Sequence, residues 1–276
     1  MMILTKKRIL LLTSLLLIGI GGYYWYSQIK VPYDNAVMDF NKEKEVVEKK
    51  NNELNKEIEN AQKSLDSNKQ PLNEQTLTDL QIAISEAKET TRKNPDTPKK
   101  IEEVEKETMK LKQPLDYANE IKNLKDKTEA VENSFKQLAQ ITNPTEDFII
   151  LKLQQLADIG EIASVTEEND PNGNLNKAGG YTATVYFSHK NVNKEDIFGS
   201  DLIDKGTDAG GSIEVYPTEE DAYRRNDYLS GFDGSALSSG SHTVIGTLVV
   251  RTSDKLTATQ QKELEKDLIK VLTSLE

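Results

Sequence analysis

Polar and apolar residues alternate along this chain in three successive regimes. The first is an uncharged, mostly apolar run, Ile9 to Tyr26, preceded by Lys6, Lys7 and Arg8 and followed by no acidic residue before Asp34. As a helix its 18 residues span about 27 Å, roughly the hydrocarbon core of a bilayer. The second regime begins at Asp34. Apolar residues there recur at spacings of three and four, at Val37, Phe40, Val47, Leu54, Ile58, Ala61 and Leu65, with no Gly or Pro before Ser67. Lys44 and Asn51 interrupt this heptad-like stripe. The third regime starts near Asn143, where Gly, Tyr and Thr rise and short β-branched runs appear.

A basic start and an apolar middle belong equally to a cleaved signal peptide and to a retained anchor. The cluster Tyr23, Tyr24, Trp25 and Tyr26 favours the anchor, because aromatic rings with one polar edge settle at the headgroup level. The positive-inside rule then puts Lys6, Lys7 and Arg8 in the cytoplasm and residues 31–276 outside the cell. No Cys is present, so disulfides, thiol catalysis, Cys-based zinc and a lipid-modified N-terminal Cys are excluded.

Three parts are expected: residues 1–30 as cytoplasmic tip and transmembrane signal-anchor, 31–141 as a helical stalk, and 142–276 as a distal α+β domain. In the stalk, Asn68-Lys69-Gln70-Pro71 ends the first helix. A second helix runs from about Glu74 to Lys93 and is broken at Asn94-Pro95-Asp96. Thr97 with Pro98 reads as the start of a third, carrying Ile101, Val104 and Leu111. Pro114 predicts a break near Gln113, after which Leu115, Ala118, Ile121, Val131, Phe135 and Leu138 continue the pattern. The stripe suits one face of a helical bundle; a dimeric coiled coil is the alternative.

In the distal part, Asn143 and Pro144 suggest the start of a helix reaching about Ala157. Four strands are predicted, Glu161–Thr166, Tyr181–Ser188, Ser212–Tyr216 and His242–Arg251, the second half-buried by its alternation. Thr218 precedes Glu219-Glu220-Asp221, and Thr257 pairs with Gln260 in a capping box; each opens a helix. The expected architecture is a mainly antiparallel four-stranded sheet with helices on one face.

Residues 52–113 resemble a FIVAR module, the three-helix unit of many surface proteins of Gram-positive bacteria, including giant extracellular-matrix-binding adhesins. Leu54, Ile58, Ala61 and Leu65 match its first helix, Pro71-Leu72-Asn73-Glu74 its turn, Leu77, Leu80, Ala83, Ile84 and Ala87 its second helix, and Ile101, Val104 and Leu111 its third. Here the module occurs once, and its third helix is rich in Glu and Lys. The segments EENDPNGNLNKAGGYTATVYF, GTDAGGSIEVY and SGSHTVIGTLVVRTS resemble uncharacterised C-terminal regions of membrane-anchored Gram-positive proteins, some of them labelled as matrix-binding homologues. Both resemblances imply a surface location.

The net charge of −11 resides in residues 144–276, since the basic N-terminus and the slightly acidic stalk cancel. This excludes nucleic acid as an expected partner, because its binders concentrate Lys and Arg. Chemistry-bearing candidates are few. His242 lies beside Ser241, with Ser238 and Ser239 nearby, but no G-x-S-x-G elbow is present and neighbours at a strand start face opposite sides. His189 is expected in solvent at a strand end. Glu214 and Asp221 have no distinguishing spacing, and Lys205 to Gly211 lacks the Gly-Lys-Ser/Thr order of a P-loop. Glu168, Asp170 and Asn172 alternate ahead of Gly173, and Asn174 follows it, as in an EF-hand loop without its terminal Glu; the four form a low-affinity calcium candidate, against a polar turn as the simpler reading. No other cofactor is expected.

The expectation is thus a non-enzymatic, membrane-anchored envelope protein presenting an acidic extracellular domain to cell wall, a matrix protein or an envelope protein. Host-matrix adhesion and an envelope enzyme are the alternatives.

Overall fold

The structure, a computed structural model, describes residues 6–235 and 240–275. The chain forms two units, one of residues 1–67 with 78–128, the other of residues 68–77 with 129–276.

The first unit is helical. Helix α1 (Lys6–Trp25) runs through a π-helical turn, Tyr26–Lys30, into α2 (Val31–Leu65). Every large apolar side chain from Leu10 to Ile29 is at least 53 % exposed. A core helix would bury such residues. Among the described residues this is the one helix long and apolar enough to cross a membrane.

Beyond Lys30 the pattern inverts, and α2 buries Phe40, Val47, Leu54, Ile58 and Ala61 along one stripe. Phe40 and Val47 pack on Val104 and Leu111 of α4 (Ile101–Leu111). The stripe is therefore covered within the chain, by helix-on-helix packing. Its interruption at Asn51 has a local use. The Asn51 side chain donates to the Arg92 carbonyl at 2.8 Å and accepts from the Tyr117 hydroxyl at 2.9 Å.

Helix α3 (Gln75–Thr90) buries Leu80, Ala83, Ile84 and Ala87. The expected helix start at Thr97 and Pro98 is displaced: α4 begins at Ile101 with Lys100 as its cap, and the Pro98 carbonyl instead accepts the Tyr33 hydroxyl at 2.8 Å. At the other end of α4 the Arg92 guanidinium donates to the carbonyls of Leu111, Gln113 and Pro114. It satisfies acceptors that a helix terminus leaves open. The break predicted around Pro114 is present, and α5 (Ala118–Gln140) resumes after it.

The second unit carries α6 (Glu146–Leu153), β1 (Ile159–Ser164), β2 (Ala183–His189), α7 (Leu202–Lys205), β3 (Gly210–Val215), α8 (Glu219–Ser230), β4 (His242–Ile245), β5 (Leu248–Thr252) and α9 (Ala258–Thr273). The sheet order is β1-β2-β3-β5-β4, every neighbouring pair antiparallel. Five strands replace the expected four, because His242–Arg251 is a hairpin. Gly246 takes φ +55° in its turn, and Ile245 pairs with Leu248. A Cβ on Gly246 would lie 2.8 Å from the Ile141 carbonyl oxygen, so the turn needs Gly on two counts.

Helices cover both faces of the sheet, not one. On the first face, Ile149 and Leu153 of α6 and Leu264, Leu268 and Leu272 of α9 pack on Val185, Phe187, Ile213 and Val250. On the second, Ala222 and Leu229 of α8 pack against Tyr181, Tyr216 and Val249. This double cover buries β2 throughout save Ser188, which remains partly exposed, where alternation had suggested half-burial.

Local capping chemistry holds at Thr218 and at Thr257, whose box with Gln260 is complete. At α6 the cap is Thr145, not Asn143. Asn143, at φ +45°, donates its amide to Thr247 and accepts the Thr182 hydroxyl.

Candidate functional site

The second face of the sheet holds a buried cluster of opposite charges. Glu214 lies mid-strand in β3 and is fully buried. Cross-strand pairing sets Val249 opposite Glu214, so Arg251, two residues along β5, shares the same face diagonally. Arg225 descends from α8. Glu214 Oε1 accepts from Arg251 Nη1 at 2.7 Å and Arg225 Nη2 at 3.0 Å. Oε2 accepts from Arg225 Nε at 2.8 Å and the Tyr216 hydroxyl at 2.9 Å.

Burial opposes ionisation of Glu214, but the guanidiniums of Arg251 and Arg225 outweigh it and hold the carboxyl below its usual range. Burial, with the charge of Glu214, pushes the Tyr216 hydroxyl well up. Four donors occupy both carboxylate oxygens. An anion so saturated is a poor base or nucleophile, since each would need a free lone pair.

Sequence reading noticed Glu214 but not its partners. A signal was present: an acid inside SIEVY and an Arg inside LVVRT, each within an apolar strand, rarely stay buried unless paired.

The calcium candidates fold as a turn between β1 and β2. Asp170 Oδ2 accepts the backbone amides of Asn174 at 2.6 Å and Leu175 at 2.8 Å. Its Oδ1 accepts the Asn172 amide at 3.0 Å and the Tyr181 hydroxyl. Glu168, Asn172 and Asn174 are exposed. A cation would have to displace donors already aimed at Asp170, so the local geometry is that of a polar Asx turn. Among the described residues no group of three or more His, Asp or Glu is placed to hold a metal.

Burial opposes the ionisation of Asp170, but its hydrogen bonds from Tyr181 and the three amides outweigh that and lower its pKa. The sign follows from a depressed folded-state value. Its stabilisation is present above the ordinary carboxylate range and is lost as pH falls through the folded value. Asp170→Asn is expected to be less stable than the parent at neutral pH and to lose that difference in strong acid, below the depressed folded value. Urea denaturation under the two conditions checks this.

Ser241 and His242 point to opposite faces. Ser241 Oγ meets Thr252 Oγ1 at 2.8 Å and Glu265 at 3.1 Å, whereas His242 sits between Asn226 and Asp233 on the α8 side. They form no Ser/His pair, and Ser238 and Ser239 lie outside the described residues. His189 is buried rather than in solvent, because it pairs with Ile159 of the edge strand, and burial lowers its pKa.

Neither family models, nor curated proteins, nor solved structures match this chain.

Proposed function

We propose that this is a non-enzymatic, single-pass envelope protein that holds an acidic distal domain outside the membrane for binding or scaffolding. The observation that carries the reading is α1, whose large apolar side chains from Leu10 to Trp25 are turned outward. Leaving such a surface in water is costly at about 25 cal/mol per Å², and a bilayer removes that cost. Lys6, Lys7 and Arg8 before it and the aromatic cluster after it fit a cytoplasmic N-terminus. The saturated carboxylates of Glu214 and Asp170 fit a recognition domain better than a catalytic one. The FIVAR resemblance favours a bacterial surface and makes host-matrix adhesion the second reading.

The full chain is expected in the membrane fraction after alkaline carbonate extraction. A non-permeant amine reagent on intact cells should label Lys residues of 31–276 and spare Lys6 and Lys7. Recovery in the soluble fraction, or labelling confined to Lys6 and Lys7, sinks the reading. Capture of the full chain on purified wall, on matrix proteins or on membrane proteins of the same cell then separates recognition, adhesion and scaffolding.

A further inference from the structure

The edge strand β1 is irregular, its register against β2 shifting between Ile159 and Ile162. Beside this irregularity lies a cavity of about 400 Å³. Ile159, Val192 and Ile197 give it an apolar wall, and Lys190, Lys194 and Lys205 border it together with Asp158 and Glu161. Lys190 is paired with Asp158. Lys194 and Lys205 make no ion pair among the described residues. An excess of cations is notable in the part of the chain that carries its negative charge.

His189 adds a donor. It borders the cavity and is only 9 % exposed. Its Nδ1 accepts the Asn191 amide at 3.3 Å, so the neutral ring carries its proton on Nε2. Nε2 has no partner among the described residues. Phe198, next to the wall residue Ile197, is 89 % exposed. An imidazole N–H open to the cavity, two lysines outside any ion pair and an apolar wall with an exposed aromatic neighbour are the elements of a ligand cleft, mostly apolar with a few oriented polar groups.

We propose that this cavity binds a small amphiphile with a carboxylate or phosphate head. The head would lie against Lys194, Lys205 and the Nε2–H of His189, and the apolar body along Ile159, Val192 and Ile197. Charge complementarity selects the head, because charge-assisted hydrogen bonds to an anionic oxygen are the strongest these donors can make. The inference stands on the cavity and does not require the membrane anchor.

The test uses the full chain in phosphatidylcholine nanodiscs, or in buffer if it stays soluble without them. Acetylation of lysines is followed by mass spectrometry while octanoate, octyl phosphate, octanol or octylamine is titrated. Octanoate or octyl phosphate should protect Lys194 and Lys205 and leave Lys262 unchanged. Preference for octanoate points to a free carboxylate amphiphile, and preference for octyl phosphate to a phospholipid head. The double variant Lys194→Gln with Lys205→Gln should weaken anion binding about tenfold, equivalent to about 1.4 kcal/mol, at unchanged thermal midpoint. Protection by octylamine or octanol to the same degree, no protection by either anion, or anion binding untouched in the double variant would each overturn the proposal.

Discussion

Glu214→Ala is expected to destabilise the sheet domain by about 3–5 kcal/mol, the range for breaking a buried ion pair from one side. The carboxylate is the shared acceptor of Arg225 and Arg251. Without it, two guanidiniums face each other with little access to water, and the Tyr216 hydroxyl loses its acceptor as well. Against a typical domain stability of 5–15 kcal/mol, that loss is large. Guanidinium-chloride denaturation followed by circular dichroism measures it.

A companion variant separates stability from specificity. Glu214→Leu with Arg225→Met and Arg251→Met removes every charge together. Replacement of whole buried ion networks by apolar residues is often neutral or stabilising, so the triple variant should recover most of the loss. If Glu214→Ala unfolds at the parent's midpoint, the network is not the structural tie inferred from its geometry. The pH sign agrees with Asp170: a depressed Glu214 contributes above the ordinary carboxylate range and is lost as pH falls through its folded value.

Phe187→Ala is expected to cost a comparable amount, about 3–5 kcal/mol. Phe187 is fully buried in β2, within the core that α6 and α9 close over. Its cross-strand partner is Gly211, and a Cβ there would stand 2.5 Å from Phe187 Cζ. The ring therefore fills space that its neighbour leaves open, and truncation creates a void that little can collapse into. Tyr223→Ala on the exposed side of α8 serves as a control, because surface changes away from such features usually fall within about ±0.5 kcal/mol. A Phe187→Ala domain as stable as the control variant would mean that the core relaxes freely around the missing ring.

What could be read from the sequence was what depends on near neighbours. Helix hydrogen bonds join residues four apart, so the stripe Phe40-Val47-Leu54-Ile58-Ala61 announced α2, and Thr218 and Thr257 announced the caps of α8 and α9. The break before Ala118 followed from Pro114 for the same reason. The outward-facing α1 was evident because a long apolar run needs no partner in sequence to be recognised.

The tertiary structure decided whatever depends on residues brought together from a distance. Gly246 ends a strand because Ile141 crowds its turn from more than a hundred positions away. Both sides of β2 are sheltered, so its alternation carried no information about exposure. His189 is covered by an edge strand that begins thirty residues earlier, and Arg225 and Arg251 reach Glu214 only once α8 and β5 have docked. A local period specifies an element and the face it prefers to bury. Which charges meet on that face is set by strand order and helix placement, which residue spacing along the chain does not encode.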